Sequence, residues 1–257
     1  MTMSHAIRPV MEDVAANTGQ VNRVLDALVT GEIKVLPLFE CDAALFEALR
    51  DETVALSADV DGQPVEDDHP TTVYVRKFDS SWHVKPGVIR QYSLYNSKDD
   101  VLFNDEDHHW LERPRRFNSR LRAVPAFVER YFPGVTLQNF RMQLIRGGGD
   151  LGQHREKIIG IPGRERQLKL RFHLPIVTNP EVRFLMDGQS FHMKAGWVHL
   201  FNQACMHGVS NDGANVRVHL IFDCYLDEYI ACDLIAPSLS RGAGVDAARV
   251  TAAPRVP

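Results

Sequence analysis

Cysteine is scarce: four in 257 residues, Cys41, Cys205, Cys224 and Cys232, with no two spaced as CxxC. That spacing argues against a disulfide framework or a zinc knuckle. The four are expected to be small apolar core residues. Positive charge is not in surplus either. The 29 Lys and Arg are outnumbered by 33 Asp and Glu, for a formal net charge of -4. A nucleic-acid or anionic-membrane binder would carry a basic excess. No apolar run is long enough to span a bilayer. The stretch MTMSHAIRPVMEDVAANTGQ lacks the charged-then-apolar pattern of a secretory signal, so a cytoplasmic, reducing setting is the expectation. No internal repeat or low-complexity tract occurs. What is present is 44% hydrophobic residues, enough to bury a sizeable core. One large soluble domain, or one domain with extensions, is the class.

Along the chain, residues 11–30 and 42–57 have helical apolar spacing, with the strand-like IKVLPLF between them. The stretch 58–70 is a polar loop, followed by TVYVRKF and GVIRQYSLY with strand composition. Residues 97–116 are charged and irregular. FNSRLRAVPAFVERYF predicts a helix that Pro125 must start or kink. From Gly134 the texture changes to short strand-like runs: TLQNFRMQLIR, LKLRFHLPIV, VRFLM, SFHM, WVHLF, CMHGVSN and NVRVHLIFDCYL. Gly, Pro, Asn and Asp separate them, which predicts an antiparallel sandwich or barrel. Three parts follow: a helical and strand support over 1–133 that packs on the barrel and contributes to the substrate pocket, a β core over 134–235, and a flexible tail over 236–257.

In an extended segment, residues two apart share a face. His154 and Glu156, in GQHREKIIG, can therefore face one cavity. Arg171 and His173 share a face of LKLRFHLPIV, and Arg217 and His219 share a face of VRVHLIF. Polar groups thus point one way from strands that otherwise look buried. Burying so many charges costs several kcal/mol unless bound ions or partners compensate them. His207 precedes the turn signal NDGAN, which returns the chain to Arg217. Two imidazoles and one carboxylate on one side of a metal form the 2-His-1-carboxylate arrangement of non-haem Fe(II) oxygenases. The metal keeps net positive charge, which suits an anionic bidentate ligand such as a 2-oxoacid. A buried Arg can then hold the far carboxylate in a forked hydrogen bond. The plain alternatives are a solvated hairpin loop for His154 and Glu156, a core histidine for His207, and a cross-strand salt bridge of Arg217 with Asp223 or Glu228. His173 and His219 fit ordinary barrel-lining residues as well as groups supporting a metal site. The GGG at 147–149 lacks the Lys and helix of a phosphate loop and is expected to be a turn beside the site.

The stretches RMQLIRGGGDLGQHRE, LKLRFHLPIVTN, QSFHMKAGWVHLFNQACMHGVSN and VRVHLIFD resemble the aspartyl/asparaginyl β-hydroxylase-type branch of the 2-oxoglutarate-dependent oxygenases. Within it they are most similar to the bacterial free-amino-acid hydroxylases, of the L-proline cis-4-hydroxylase kind. The resemblance implies a double-stranded β-helix, or jelly roll, with flanking helices. It implies Fe(II) held by His154, Glu156 and His207, and 2-oxoglutarate held by Arg217, with His192 close to it. Arg171 would hold a carboxylate of the cosubstrate or of the substrate. Where the family usually has Asp, this chain has Glu156, one methylene longer. Halogenating relatives lack this carboxylate, so its presence implies hydroxylation. The implied reaction uses dioxygen to hydroxylate an unactivated C–H of a free amino acid or small derivative, forming succinate and carbon dioxide. The substrate grip is expected from Trp82, His83 and Arg90, with Tyr92 near them. Alternatives are a peptidyl or protein substrate, a desaturation, or a cupin-like barrel that binds a metal or small acid without catalysis.

Overall fold

The computed structural model describes residues 18–61, 89–95, 121–135, 137–156, 160–161 and 164–241. Helix α1 spans Thr18–Val29, strand β1 Val35–Glu40 and helix α2 Ala43–Asp61; strand β2 is Ile89–Tyr95 and helix α3 Ala123–Tyr131. The remaining strands are β3 (Leu137–Ile145), β4 (Gly149–His154), β5 (Gly160–Ile161), β6 (Arg164–Val177), β7 (Val182–Met186), β8 (Gln189–Phe191), β9 (Trp197–Phe201), β10 (His207–Asn211) and β11 (Arg217–Tyr225). A π-helical turn over Tyr229–Ile235 and helix α4 (Ala236–Ser240) follow.

The strands form two antiparallel sheets. The larger runs β1-β9-β6-β11-β3-β2, with β5 on β6, and the smaller runs β4-β10-β7-β8. From β3 onward the chain repeatedly crosses between them. Strands β3, β6, β9 and β11 belong to the larger sheet, and β4, β7, β8 and β10 to the smaller. This is the winding of a double-stranded β-helix, in which inner faces alternate with outer ones along every strand. β1 and β2, from the support region, extend the larger sheet at both edges. β1 pairs antiparallel with β9 and β2 with β3, each with one register shift.

Period two sorts the side chains. On β11, Val218, Leu220, Phe222 and Cys224 join the apolar cluster under the helices, and on β6 Leu170, Phe172, Leu174 and Ile176 do the same. A second apolar cluster lies between the sheets, with Val35, Ile145 and Phe201 from the larger and Leu151, Phe184, Met186 and Val209 from the smaller. The Asp187-Gly188 turn joining β7 to β8 has positive φ at both residues. That is the type I′ geometry of a two-residue hairpin.

Pro125 lies in the first turn of α3. It has no N–H, and Glu52 of α2 accepts from the backbone N–H of Arg122, Ala123 and Val124. One carboxylate thereby satisfies the exposed donors at the positive end of the helix dipole. The tail expectation is corrected at its start. Ala236–Ser240 is helical, and Ser238 is wholly buried, donating to Leu38 O at 3.0 Å. Pro237 sits at the helix start, where its fixed φ suits the first turn. Residues 242–257 lie outside the described residues. Of the cysteines, Cys41, Cys205 and Cys224 are buried and none is bonded to another. Among the described residues, no helix is long and apolar enough to cross a membrane.

Candidate metal centre and anion pocket

β4 delivers His154 from the smaller sheet, and β10 lies beside it with His207 directly opposite. The two rings stand 4.2 Å apart between centroids. Each ring is oriented from behind in the same way. His154 Nδ1 donates to Gly152 O at 2.8 Å, and His207 Nδ1 donates to Cys205 O at 2.8 Å. A carbonyl can only accept, so each Nδ1 carries a proton and Nε2 is the nitrogen left to face a metal. Burial, and after it the neighbouring His154, pushes His207 down to about 4. Its ring is therefore neutral near pH 7.

Glu156 follows β4, with its backbone N–H on Gln203 O at 3.0 Å. Its Oε1 is 3.8 Å from His154 Nε2 and 3.9 Å from His207 Nε2. One ligand atom from each of the three residues lies within 4.8 Å of the others. Two imidazole nitrogens and a carboxylate oxygen converging in this way form a donor set that fits a divalent first-row metal.

A cleft open to solvent at its mouth begins at these three residues. Arg141, Gln143, Arg171, His173, Phe184 and Phe201 are among its other walls. Arg217 is wholly buried behind this wall. Its Nη1 donates to Gln143 Oε1 at 2.6 Å, and its guanidinium carbon stands 5.3 Å over the Phe184 ring. Its Nε and Nη2, which form one edge of the guanidinium, have no hydrogen-bond partner among the described residues. Burial, and next the field of Arg141, pushes Arg217 down to about 9. An anion placed on that edge would relieve both effects.

His173 and His219 meet Nδ1 to Nδ1 at 3.4 Å, and neither Nε2 has a hydrogen-bond partner among the described residues. Burial, reinforced by Arg217, holds both well below the ordinary imidazole value, so both are neutral.

The structure brings together His154, Glu156 and His207 with Arg171 around one cleft; Arg217 does not line it but lies behind its wall, bonded to Gln143. The structure departs from the sequence expectation at Arg171, His192 and Arg90. Arg171 meets carboxylates of the chain itself: Nε and Nη2 grip Asp223 at 2.8 and 3.1 Å, and Nη1 donates to Glu156. The salt bridge imagined for Arg217 with Asp223 thus belongs to Arg171. His192 does not line the cleft; its Nδ1 lies 3.1 Å from Val182 O just beyond β8. Arg90 pairs in register with Leu144, while Ile89 pairs with Ile145. Leu144 belongs to the helix-side cluster and Ile145 to the inner one, so Arg90 faces away from the chamber. Trp82 and His83 lie outside the described residues. Sequence reasoning overlooked Arg141 and Gln143, although the alternation of FRMQLIR puts both on the face of Ile145.

The turns behind the site explain the glycines at 147–149. A Cβ on Gly147 would lie 2.5 Å from Gly213 O and 2.8 Å from Ala214 O. The NDGAN turn therefore presses directly on the GGG turn. Asn211 ties them, donating to Ile145 O at 3.0 Å and Asn215 O at 2.7 Å.

A family model described as aspartyl/asparaginyl beta-hydroxylase matches residues 46–226. The chain belongs to the aspartyl/asparaginyl β-hydroxylase family. No curated protein matches it. Among solved structures it is similar to AviO1 from Streptomyces viridochromogenes Tue57, with 10% identity, 76% of this chain and 90% of that chain covered, and a TM-score of 0.43. It is also similar to the viral collagen prolyl hydroxylase of Paramecium Bursaria Chlorella virus-1, solved as a 2OG complex, with 7% identity, 69% and 91% covered, and a TM-score of 0.36. A predicted oxalate decarboxylase from Thermotoga maritima shares 13% identity over 54% of this chain and 81% of that one, with a TM-score of 0.30. Similarity this distant leaves the chemistry of this hydroxylase-family site to be argued from its own residues.

Proposed function

We propose that the chain is an Fe(II)- and 2-oxoglutarate-dependent dioxygenase that hydroxylates an unactivated C–H of a free amino acid or small derivative. The observation that carries this is the convergence of His154 Nε2, His207 Nε2 and Glu156 Oε1 at one end of a cleft. Those three atoms would hold the iron on one side and leave its other side facing the cleft. Bound iron would supply the activation of dioxygen, chemistry that side chains lack.

The chain's own residues do the rest. The partnerless edge of Arg217 would take the distal carboxylate of 2-oxoglutarate in two parallel hydrogen bonds. Gln143 fixes the guanidinium plane from the opposite side, so the pocket is oriented before the ligand arrives. Phe184, Phe201 and Ile221 line the same cleft with apolar surface and limit water there. No partner macromolecule, nucleic acid or membrane is part of the proposed reaction.

The test is anaerobic. Fe(II) and 2-oxoglutarate are added to metal-free protein, and the metal-to-ligand charge-transfer band is followed beside Glu156→Ala and Arg217→Ala. The expected result is a band in the wild type, with Arg217→Ala needing far more 2-oxoglutarate to reach it. A succinate-coupled screen of free amino acids then identifies the substrate; turnover only with peptides would replace the free-amino-acid reading. Folded wild type that binds metal but gives no band would overturn the oxygenase assignment in favour of a binding protein.

A further inference from the structure

We propose that Asp223, acting through Arg171, positions the Glu156 carboxylate against the two imidazoles and so sets the affinity of the site for a divalent cation. This rests on the metal-binding reading above.

Glu156 lies past the last residue of β4, on a side chain with three torsions. Holding one of its oxygens about equally far from two ring nitrogens requires an external guide. Arg171 supplies it, because Nη1 donates to the same Oε1 that faces both Nε2 atoms. Arg171 is itself fixed by two parallel bonds to Asp223. Asp223 and Arg171 are directly opposed on β11 and β6, both in the middle of the larger sheet. Asp223 is wholly buried. A central sheet strand thus sets the position of a carboxylate that lies just past the end of β4, through one planar guanidinium.

Electrostatics gives the same residue a second task. Arg171 alone would cancel the charge of Glu156 and oppose a cation between the imidazoles. Asp223 returns a net negative charge to the trio. Burial disfavours charge on both members, yet Asp223 and Glu156 raise Arg171, and Arg171 holds Asp223 below the usual carboxylate value. Arg141 and Lys169 also act on Asp223, so the test separates position from charge.

The full chain, metal-free, is titrated with Co(II) while the visible d–d absorption is followed. The decisive variant is Arg171→Met with Asp223→Leu. It removes one charge of each sign, leaving the trio's total unchanged, and apolar replacement of a complete buried ion pair is commonly tolerated by the fold. The expected result is Co(II) binding weakened by about 10–100-fold, the range typical of lost support behind a metal ligand, with an altered d–d spectrum. Asp223→Asn should weaken binding further, because it also removes an anion. Arg171→Lys keeps the cation but cannot grip Asp223 and reach Glu156 together. It should show the same loss, and it gives the readout if the double variant does not fold. Affinity and spectrum indistinguishable from wild type in these folded variants would overturn the proposal while leaving the metal site standing. A wild type that takes up no Co(II) would overturn the metal reading and this inference together.

Discussion

The two faces of β11 are equally buried and chemically opposite. Val218, Leu220, Phe222 and Cys224 face the helices, and Arg217, His219, Ile221 and Asp223 face the other sheet. Every residue from Arg217 to Cys224 is buried. Burial therefore does not distinguish the faces; the company each side chain keeps does. On the helix side, apolar groups fill space against one another. On the inner side, polar groups are either paired, as Arg171 is with Asp223, or held without partners, as Arg217 is along one edge. The Nε–Nη2 edge is gripped by a carboxylate of the chain in Arg171, whereas in Arg217 it has no hydrogen-bond partner among the described residues. A fold under selection for stability alone would have filled both.

The largest expected effect is on the inner side. His173, His199 and His219 are neutral because burial penalises their charged forms; His199 is pushed down to about 3. The unfolded chain binds protons at these rings near pH 6.5, and the folded chain does not. Stability is then fully present above about pH 6.5 and falls as pH drops below it, by about 2 kcal/mol per ring at pH 5. Urea midpoints measured at pH 7.5 and pH 5.0 should differ accordingly, with an unchanged slope. Equal midpoints would show that these rings are protonated or hydrated in the native state, and the contrast between the faces would weaken.

The helix side is broken by one ring. Phe222 stacks on Phe172 at 5.5 Å and meets Phe132, Phe140 and Phe127 edge-on or tilted. Phe222→Ala should cost about 3–5 kcal/mol through lost burial and the cavity left behind. At temperatures where the variant is folded, its Co(II) affinity should match wild type. A loss of metal affinity without unfolding would mean that the two faces are coupled through the strand.

These contrasts explain which features were legible in the sequence. Alternation in VRVHLIF and LKLRFHLPI exposes both faces of the central strands, because period two is imposed by the backbone. Alternation also set His154 and Glu156 on one face, while His207 was read from the NDGAN turn that returns the chain to Arg217. The partner of Arg171 was not readable. Asp223 is 52 residues away, and only strand register places it opposite Arg171 rather than Arg217. Arg90 failed similarly: a one-residue difference in register separates the chamber from the helix side. His192 failed because a short strand end leaves direction to the following turn. Arg141 and Gln143 carried a usable signal that the conspicuous histidines obscured.

The smallest expected effect sharpens the comparison most. Arg217 bears the cost of burial with two donors unmatched by the protein, so Arg217→Met should raise stability, by about 1–3 kcal/mol. Met is flexible and apolar and can lie against Phe184 where the guanidinium now stands. The same variant should lose the Fe(II)–2-oxoglutarate charge-transfer band at cosubstrate concentrations that saturate the wild type. Stability gained together with ligand binding lost would identify the inner face as a site maintained at the expense of the fold. A destabilised variant would instead show that the bond to Gln143 and the contact with Phe184 already compensate Arg217, leaving its free edge no special claim on an anion.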